Sequence, residues 1–216
     1  MRASERSRNV RRGIVTVLVA LLASAANAEQ RTFAVYLDGK RIGSHRFEIV
    51  PDGDDALRVT AQAAFDVKVL GIPVFRYRHS AIEHWRAGCL SSIETTTVVN
   101  GARSALSGHP SGDRFTVAVR DANGERRESL PACIASFAYW DRDTLARHRE
   151  LLNGQTGAYQ TVEQTAVADP RSTEVVLEGP DFRIDLGYAG PDGGWRSLAT
   201  STHEGRRLEY RLESTH

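Results

Sequence analysis

Lysine is nearly absent from this 216-residue chain. Of its 28 basic residues only Lys40 and Lys68 are lysines; the others are arginine. Cysteine is almost as scarce, with Cys89 and Cys133 alone. No C-x-x-C spacing joins them, which removes the usual redox and zinc signatures. A glycine-rich phosphate loop, a dinucleotide fingerprint and a haem-attachment motif are all missing, so no cofactor is expected. No fixed-period repeat, Pro/Ser-rich linker or low-complexity segment divides the sequence. After residue 22 no apolar run approaches the roughly 20 residues that span a bilayer as a helix.

What is present at the start is a leader. Arg2, Arg6, Arg8, Arg11 and Arg12 precede the apolar run GIVTVLVALL at residues 13–22, and Ala26-Asn27-Ala28 fits an Ala-x-Ala cleavage site. These are the parts of a secretory signal peptide, with cleavage expected after Ala28. The expected organisation is a signal peptide at 1–28 and one β-rich domain at 29–216, located in the periplasm or secreted. Residues 1–28 hold five Arg and one Glu. Without them 23 basic and 26 acidic residues remain, and the net charge moves from +1 to −3. A mixed, slightly acidic surface lacks the basic stripe that a nucleic-acid partner calls for. Export also places the two cysteines where a pair usually bridges, so a Cys89–Cys133 disulfide is expected.

The remaining chain reads as strand, turn, strand. Asp38-Gly39, Asn100-Gly101, Asn123-Gly124 and Glu204-Gly205 are turn signals between short apolar-patterned runs. Leu57, Val59, Ala61, Ala63, Phe65 and Val67 alternate with polar neighbours, as do Phe75, Tyr77, His79, Ala81, Glu83 and Trp85. Period two over this length means one buried and one wet face. Further strands are expected at 90–99, 103–106, 115–120, 158–168, 173–177, 182–188, 195–202 and 206–212, with 109–113 as a turn. A long antiparallel sheet must curl or close to bury its apolar face. The fold class expected is mainly β: a curved antiparallel sheet or open barrel with one short helix packed against its concave side or one end.

The helix belongs to residues 131–157, PACIASFAYWDRDTLARHRELLNGQTG. Asp141 is an N-cap, Asp143 suits the positive end of the helix dipole, and Asn153-Gly154 is a stop signal. A helix over 141–153 is expected. Ahead of it, Cys133, Phe137 and Trp140 fit either one face of a helical turn or an extended segment laid on the sheet.

The stretches LDGKRIGSHRFEI, SFAYWD and LLNGQTG resemble an uncharacterised family of exported bacterial proteins, domain of unknown function 6134. The likeness is best from about residue 32 to about residue 165. The family pattern has Asn after the Trp, where Asp141 stands here; both residues cap helices. The resemblance implies no activity. More loosely, the architecture is similar to the curved half-barrels of periplasmic lipid and lipoprotein carriers, which is a likeness of fold and not of function.

No catalytic constellation is legible. Gly108-His109-Pro110-Ser111-Gly112 has the wrong spacing for a nucleophile elbow. His79 and Glu83 share a face of one strand while His84 lies opposite, so that strand alone cannot make a three-ligand metal site; His45, His148 or His203 could add to it only from elsewhere. The better candidate is a ligand site. Ala61, Ala63 and Ala81 are small residues on a buried face, near Phe75, Tyr77 and Trp85 if their strands pair, with His79 and Glu83 as placed polar groups. Tyr139 and Trp140 would either line that space or fill it. The sequence therefore points to a non-catalytic binder of an apolar or amphipathic small molecule in the concavity of the sheet. The alternative is a structural or interaction protein of the envelope with a filled core, partnered by other envelope proteins.

Overall fold

The computed structural model describes residues 28–169, 171–189 and 193–216; residues 1–27, where the leader is expected, lie outside it. One antiparallel sheet dominates. Its first wing is an eight-stranded meander: β1 (Glu29–Leu37), β2 (Lys40–Pro51), β3 (Ala56–Val69), β4 (Ile72–Arg86), β5 (Cys89–Val99), β6 (Ala102–Ser111), β7 (Arg114–Asp121) and β8 (Gly124–Pro131). A crossover follows, holding β9 (Ala135–Ser136), the helix α1 (Arg142–Arg147), β10 (Glu150–Leu152) and β11 (Tyr159–Thr161). The second wing is β12 (Glu163–Ala168), β13 (Ser172–Gly179), β14 (Phe182–Ala189), β15 (Gly194–Ser201) and β16 (Arg207–Thr215).

The wings join because β1 pairs with β16 on one side and β2 on the other, giving a 13-stranded order from β12 through β16 and β1 to β8. The sheet is not closed: β8 and β12 are its edges. The crossover must therefore travel from one edge to the other, and it does so over the concave face. There Ile134, Ala135, Ala138, Trp140, Leu145, Leu151, Leu152 and Val162 join a core with the inner residues of both wings. Of the two positions expected for the helix segment, the concave side is the one adopted.

Specific contacts hold the crossover down. A disulfide links Cys133, just after β8, to Cys89 at the start of β5. The Leu90 N–H donates to the Ile134 carbonyl at 2.8 Å. Trp140, buried, meets Trp85 edge-on with ring centroids 5.5 Å apart. On the other wing the Tyr188 hydroxyl donates to the Tyr139 carbonyl at 2.9 Å. Thr95 Oγ1 donates to the Gly154 carbonyl at 2.6 Å.

Three local expectations need correction. The helix is about half the expected length. Asp141 does cap it, accepting from the N–H groups of Asp143 and Thr144 at 3.0 Å. It stops at Arg147 because Leu151 and Leu152, consecutive and both fully buried, are used in a small sheet between β9 and β11. Gln164 Nε2 donates to the carbonyls of Leu145 and His148, satisfying acceptors that a longer helix would have used. The run 158–168 is two strands in different sheets, broken at the buried Val162, whose N–H donates to the Arg149 carbonyl at 2.7 Å. Strand β6 continues to Ser111, so most of 109–113 is strand and the turn falls on Gly112-Asp113.

Candidate functional site

The register of β2 to β5 assembles the inner wall row by row. His45 faces Ala63, Ala63 faces His79, and His79 faces Thr97. The next row is Phe47, Ala61, Ala81 and Thr95, and the one after it Ile49, Val59, Glu83 and Ile93. Alanines thus fill the centre of the second row and stand between two histidines in the first, with Thr95 and Thr97 at the β5 end. Above them lie Ser136, Phe137, Tyr139 and Trp140 of the crossover, and Asn153, Gly154 and Gln155 after β10. Between wall and crossover is a cavity of about 130 Å³.

His45 is the unusual member. Both ring nitrogens are shut off from solvent and neither has a hydrogen-bond partner. Its ring packs between Phe47, with centroids 4.2 Å apart, and Tyr210, at 5.6 Å. A buried polar atom left unsatisfied costs about 1–3 kcal/mol. Burial pushes the His45 pKa down to about 3, with the neighbouring His79 adding to the effect. Burial likewise lowers His79 to about 4; its Nδ1 lies 2.9 Å from Thr97 Oγ1. Both imidazoles are therefore neutral at neutral pH, each with one donor and one acceptor nitrogen.

Glu83 is shifted in the opposite sense. Burial raises its pKa, against the hydrogen bonds from Ser136 and Trp85 that favour the carboxylate. Trp85 Nε1 donates to Glu83 Oε2 at 3.0 Å. His79 and Glu83 sit four residues apart on one strand, or about 13 Å at ordinary strand rise. That spacing suits contacts at two ends of a bound molecule better than direct proton exchange. No group of three or more His, Cys, Asp or Glu placed to hold a metal occurs among the described residues.

The structure places the residues singled out from the sequence in three groups. Ala61, His79, Glu83, Tyr139 and Trp140 line the cavity, with Ala81. Ala63 is buried in the row between His45 and His79, beside the cavity. Phe75, Tyr77 and Trp85 lie apart from it. Tyr77 stacks on Phe65 with centroids 5.0 Å apart, Phe75 packs at the margin of the core, and Trp85 supports Trp140. Aromatic side chains of the crossover thus occupy much of the room that the alanines open. His45, Thr95, Ser136 and Gln155 are lining residues that the sequence reading did not single out as ligand-site members. His45 shares strand parity with Phe47 and Ile49, and Thr95 with Ile93 and Val99, signals that point both inward; Ser136 and Gln155 carry none.

Two wider hollows, of about 410 and 470 Å³, lie on the outer face around Gln62, Ser80 and Thr96. Gln62 and Ser80 are exposed, so these are solvent troughs, without an enclosed polar group such as His45.

A family model for domain of unknown function 6134 matches residues 33–213. The chain belongs to that family. The match takes in both wings and the whole crossover, so the cavity is built entirely from residues of the family domain. No curated protein matches the chain.

Proposed function

We propose that this member of the DUF6134 family is an exported envelope protein that binds a small amphipathic molecule between β2–β5 and the crossover, without catalysis. The supporting observation is His45: an imidazole with both nitrogens enclosed and unpaired, in a recess that also holds His79 and Glu83. Buried polar groups in folded proteins nearly always have a partner, and a bound molecule or water supplies one where the chain does not. Aromatic and aliphatic walls with a few placed polar groups are the usual make-up of a ligand site. A void of about 130 Å³ is small against the roughly 300–1,000 Å³ of drug-sized sites. The occupant that fits is correspondingly small, or is the end of a longer molecule whose remainder leaves past the crossover.

The small volume also favours a second reading, a structural envelope protein whose recess holds only water. Native mass spectrometry of the protein purified from its own envelope separates the two. The binding reading expects a chain beginning at Glu29 that carries a noncovalent adduct, and no adduct on Ala61→Phe, in which the recess is filled. Bare polypeptide mass for both proteins would leave the structural reading standing. A chain still carrying residues 1–28 would overturn export.

A further inference from the structure

The two longest strands, β3 and β4, outrun their neighbours. β3 parts from β2 beyond Phe65, and β4 joins β5 only from Tyr77. Between them the hairpin projects as a two-stranded arm, and its end is apolar. Leu70 is 97% exposed, Ile72 67%, Val69 56% and Val74 54%. Of the six large hydrophobic residues that are exposed among the described residues, four lie in this one turn.

The backbone sharpens the point. Leu70 and Gly71 both have positive φ, 52° and 83°. The same turn occurs at Asp38-Gly39 and Asn100-Gly101, where the first residue is of the type that tolerates left-handed geometry through its short polar side chain, and at Ala87-Gly88, where it is a small alanine. A leucine gains nothing locally from that position. It is both conformationally disfavoured and fully hydrated there, so nothing in the folded chain accounts for it.

The charge around the tip selects a partner. Residues 67–75 contain no Asp or Glu, and Arg76 follows them. Lys40 Nζ approaches the Lys68 carbonyl at 3.4 Å, so the only two lysines of the chain meet at the base of the arm. Among the described residues neither lysine is ion-paired. The nearest carboxylate along β3, Asp66, is held by Arg78 at 2.8 Å and Arg76 at 3.8 Å. Lysine stems lie along apolar surface while their ammonium groups stay in a polar layer. Apolar tip, basic collar and no free acid match the hydrocarbon boundary and phosphates of an anionic bilayer.

We propose that the β3–β4 arm docks this protein on anionic membranes, with Leu70 and Ile72 entering the interface and Lys40 and Lys68 meeting lipid phosphates. The test is flotation of the chain from Glu29 onward, which contains every described strand and the helix. The vesicles are phosphatidylglycerol–phosphatidylethanolamine or phosphatidylcholine. Wild type is expected to float with the anionic vesicles. Leu70→Asn with Ile72→Thr is expected to lower partitioning at least tenfold. It leaves the melting temperature unchanged or higher, since asparagine suits the left-handed turn. Lys40→Gln with Lys68→Gln should weaken anionic binding about fivefold per lysine and leave phosphatidylcholine binding unchanged. The proposal is overturned if wild type stays in the aqueous fraction, or if the Leu70/Ile72 variant floats as well as wild type. A concentration-dependent dimer that this variant abolishes, with no lipid binding, would assign the tip to a second copy of the chain instead.

Discussion

The two wings of the sheet meet the same crossover differently. On the β13–β16 side the inner face is large and apolar: Leu177, Leu186, Tyr188 and Trp195 are fully or almost fully buried. The crossover sits directly on it, with Phe137 against Phe182 and Tyr139 against Trp195, each pair 5.6 Å between centroids. On the β2–β5 side the facing rows hold Ala61, Ala63, Ala81, Thr95 and Thr97, flanked by His45, His79 and Glu83. One wing is an ordinary core and the other a recess with enclosed polar groups. Because one segment covers both, the recess comes from residue choice on a few rows and not from a gap in the architecture.

Substitutions should break the second wing, β12–β16, most. Trp195→Ala deletes a fully buried side chain in contact with Phe33, Phe47 and Tyr139. It is expected to cost about 3–5 kcal/mol, read as a thermal melt lowered by at least about 6 °C. A loss under about 1 kcal/mol would mean this wing is no better packed than its counterpart.

Acid should act on the first wing, β1–β8. His45 and His79 stay neutral when folded, with pKa values of about 3 and about 4, against 6.5 for an ordinary histidine. Between those limits the unfolded chain binds more protons, so stability is complete above about pH 6.5 and falls as the pH drops toward 4. Glu83, its pKa raised by burial, works in the other direction above its ordinary 4.5 and offsets part of the loss. The two histidines together cost about 5 kcal/mol between pH 7 and pH 4.5, less the Glu83 offset. Denaturant titrations of wild type and His45→Phe measure it, and the variant should lose about 2–3 kcal/mol less than wild type. Equal losses in the two proteins would show that the His45 site is hydrated.

The smallest effect compares two alanines. Ala135 is fully enclosed where the crossover meets the sheet, whereas Ala61 borders the void. Ala135→Val should overpack and cost about 1–3 kcal/mol, while Ala61→Val should cost less than about 1. Similar costs from paired denaturation curves would mean that the recess closes in solution.

Much of the sheet was legible from period-two alternation. β3 and β4 were read with their correct inner faces, and this parity placed His79 and Glu83 on the concave side. β8 was missed because GERRESLP is exposed except at Leu130 and so carries no alternation. The small sheet of β9 to β11 was missed because two- and three-residue strands leave no period to detect, and Leu151-Leu152 instead fits a helical face. The union of β1 with β16 has no local signature at all, since the pairing is decided by packing across nearly the whole chain. The cavity was half legible for the same reason. Alternation tells which side a residue faces, but not that Phe137, Tyr139 and Trp140 descend onto it and take up most of the space.

The position of β1 in the middle of the sheet has a consequence for biosynthesis. A chain that emerges N-terminus first makes this strand early, yet Arg31 to Leu37 find their second partners only when residues 208–215 arrive. Until then β1 presents an open row of backbone donors and acceptors, the template on which strands of other chains add. The eight strands of the first meander can pair in order as they appear, but no nascent chain ending before Arg207 can cover that edge. The sheet is thus completed by its last strand, and premature termination anywhere earlier yields a product with an adhesive side.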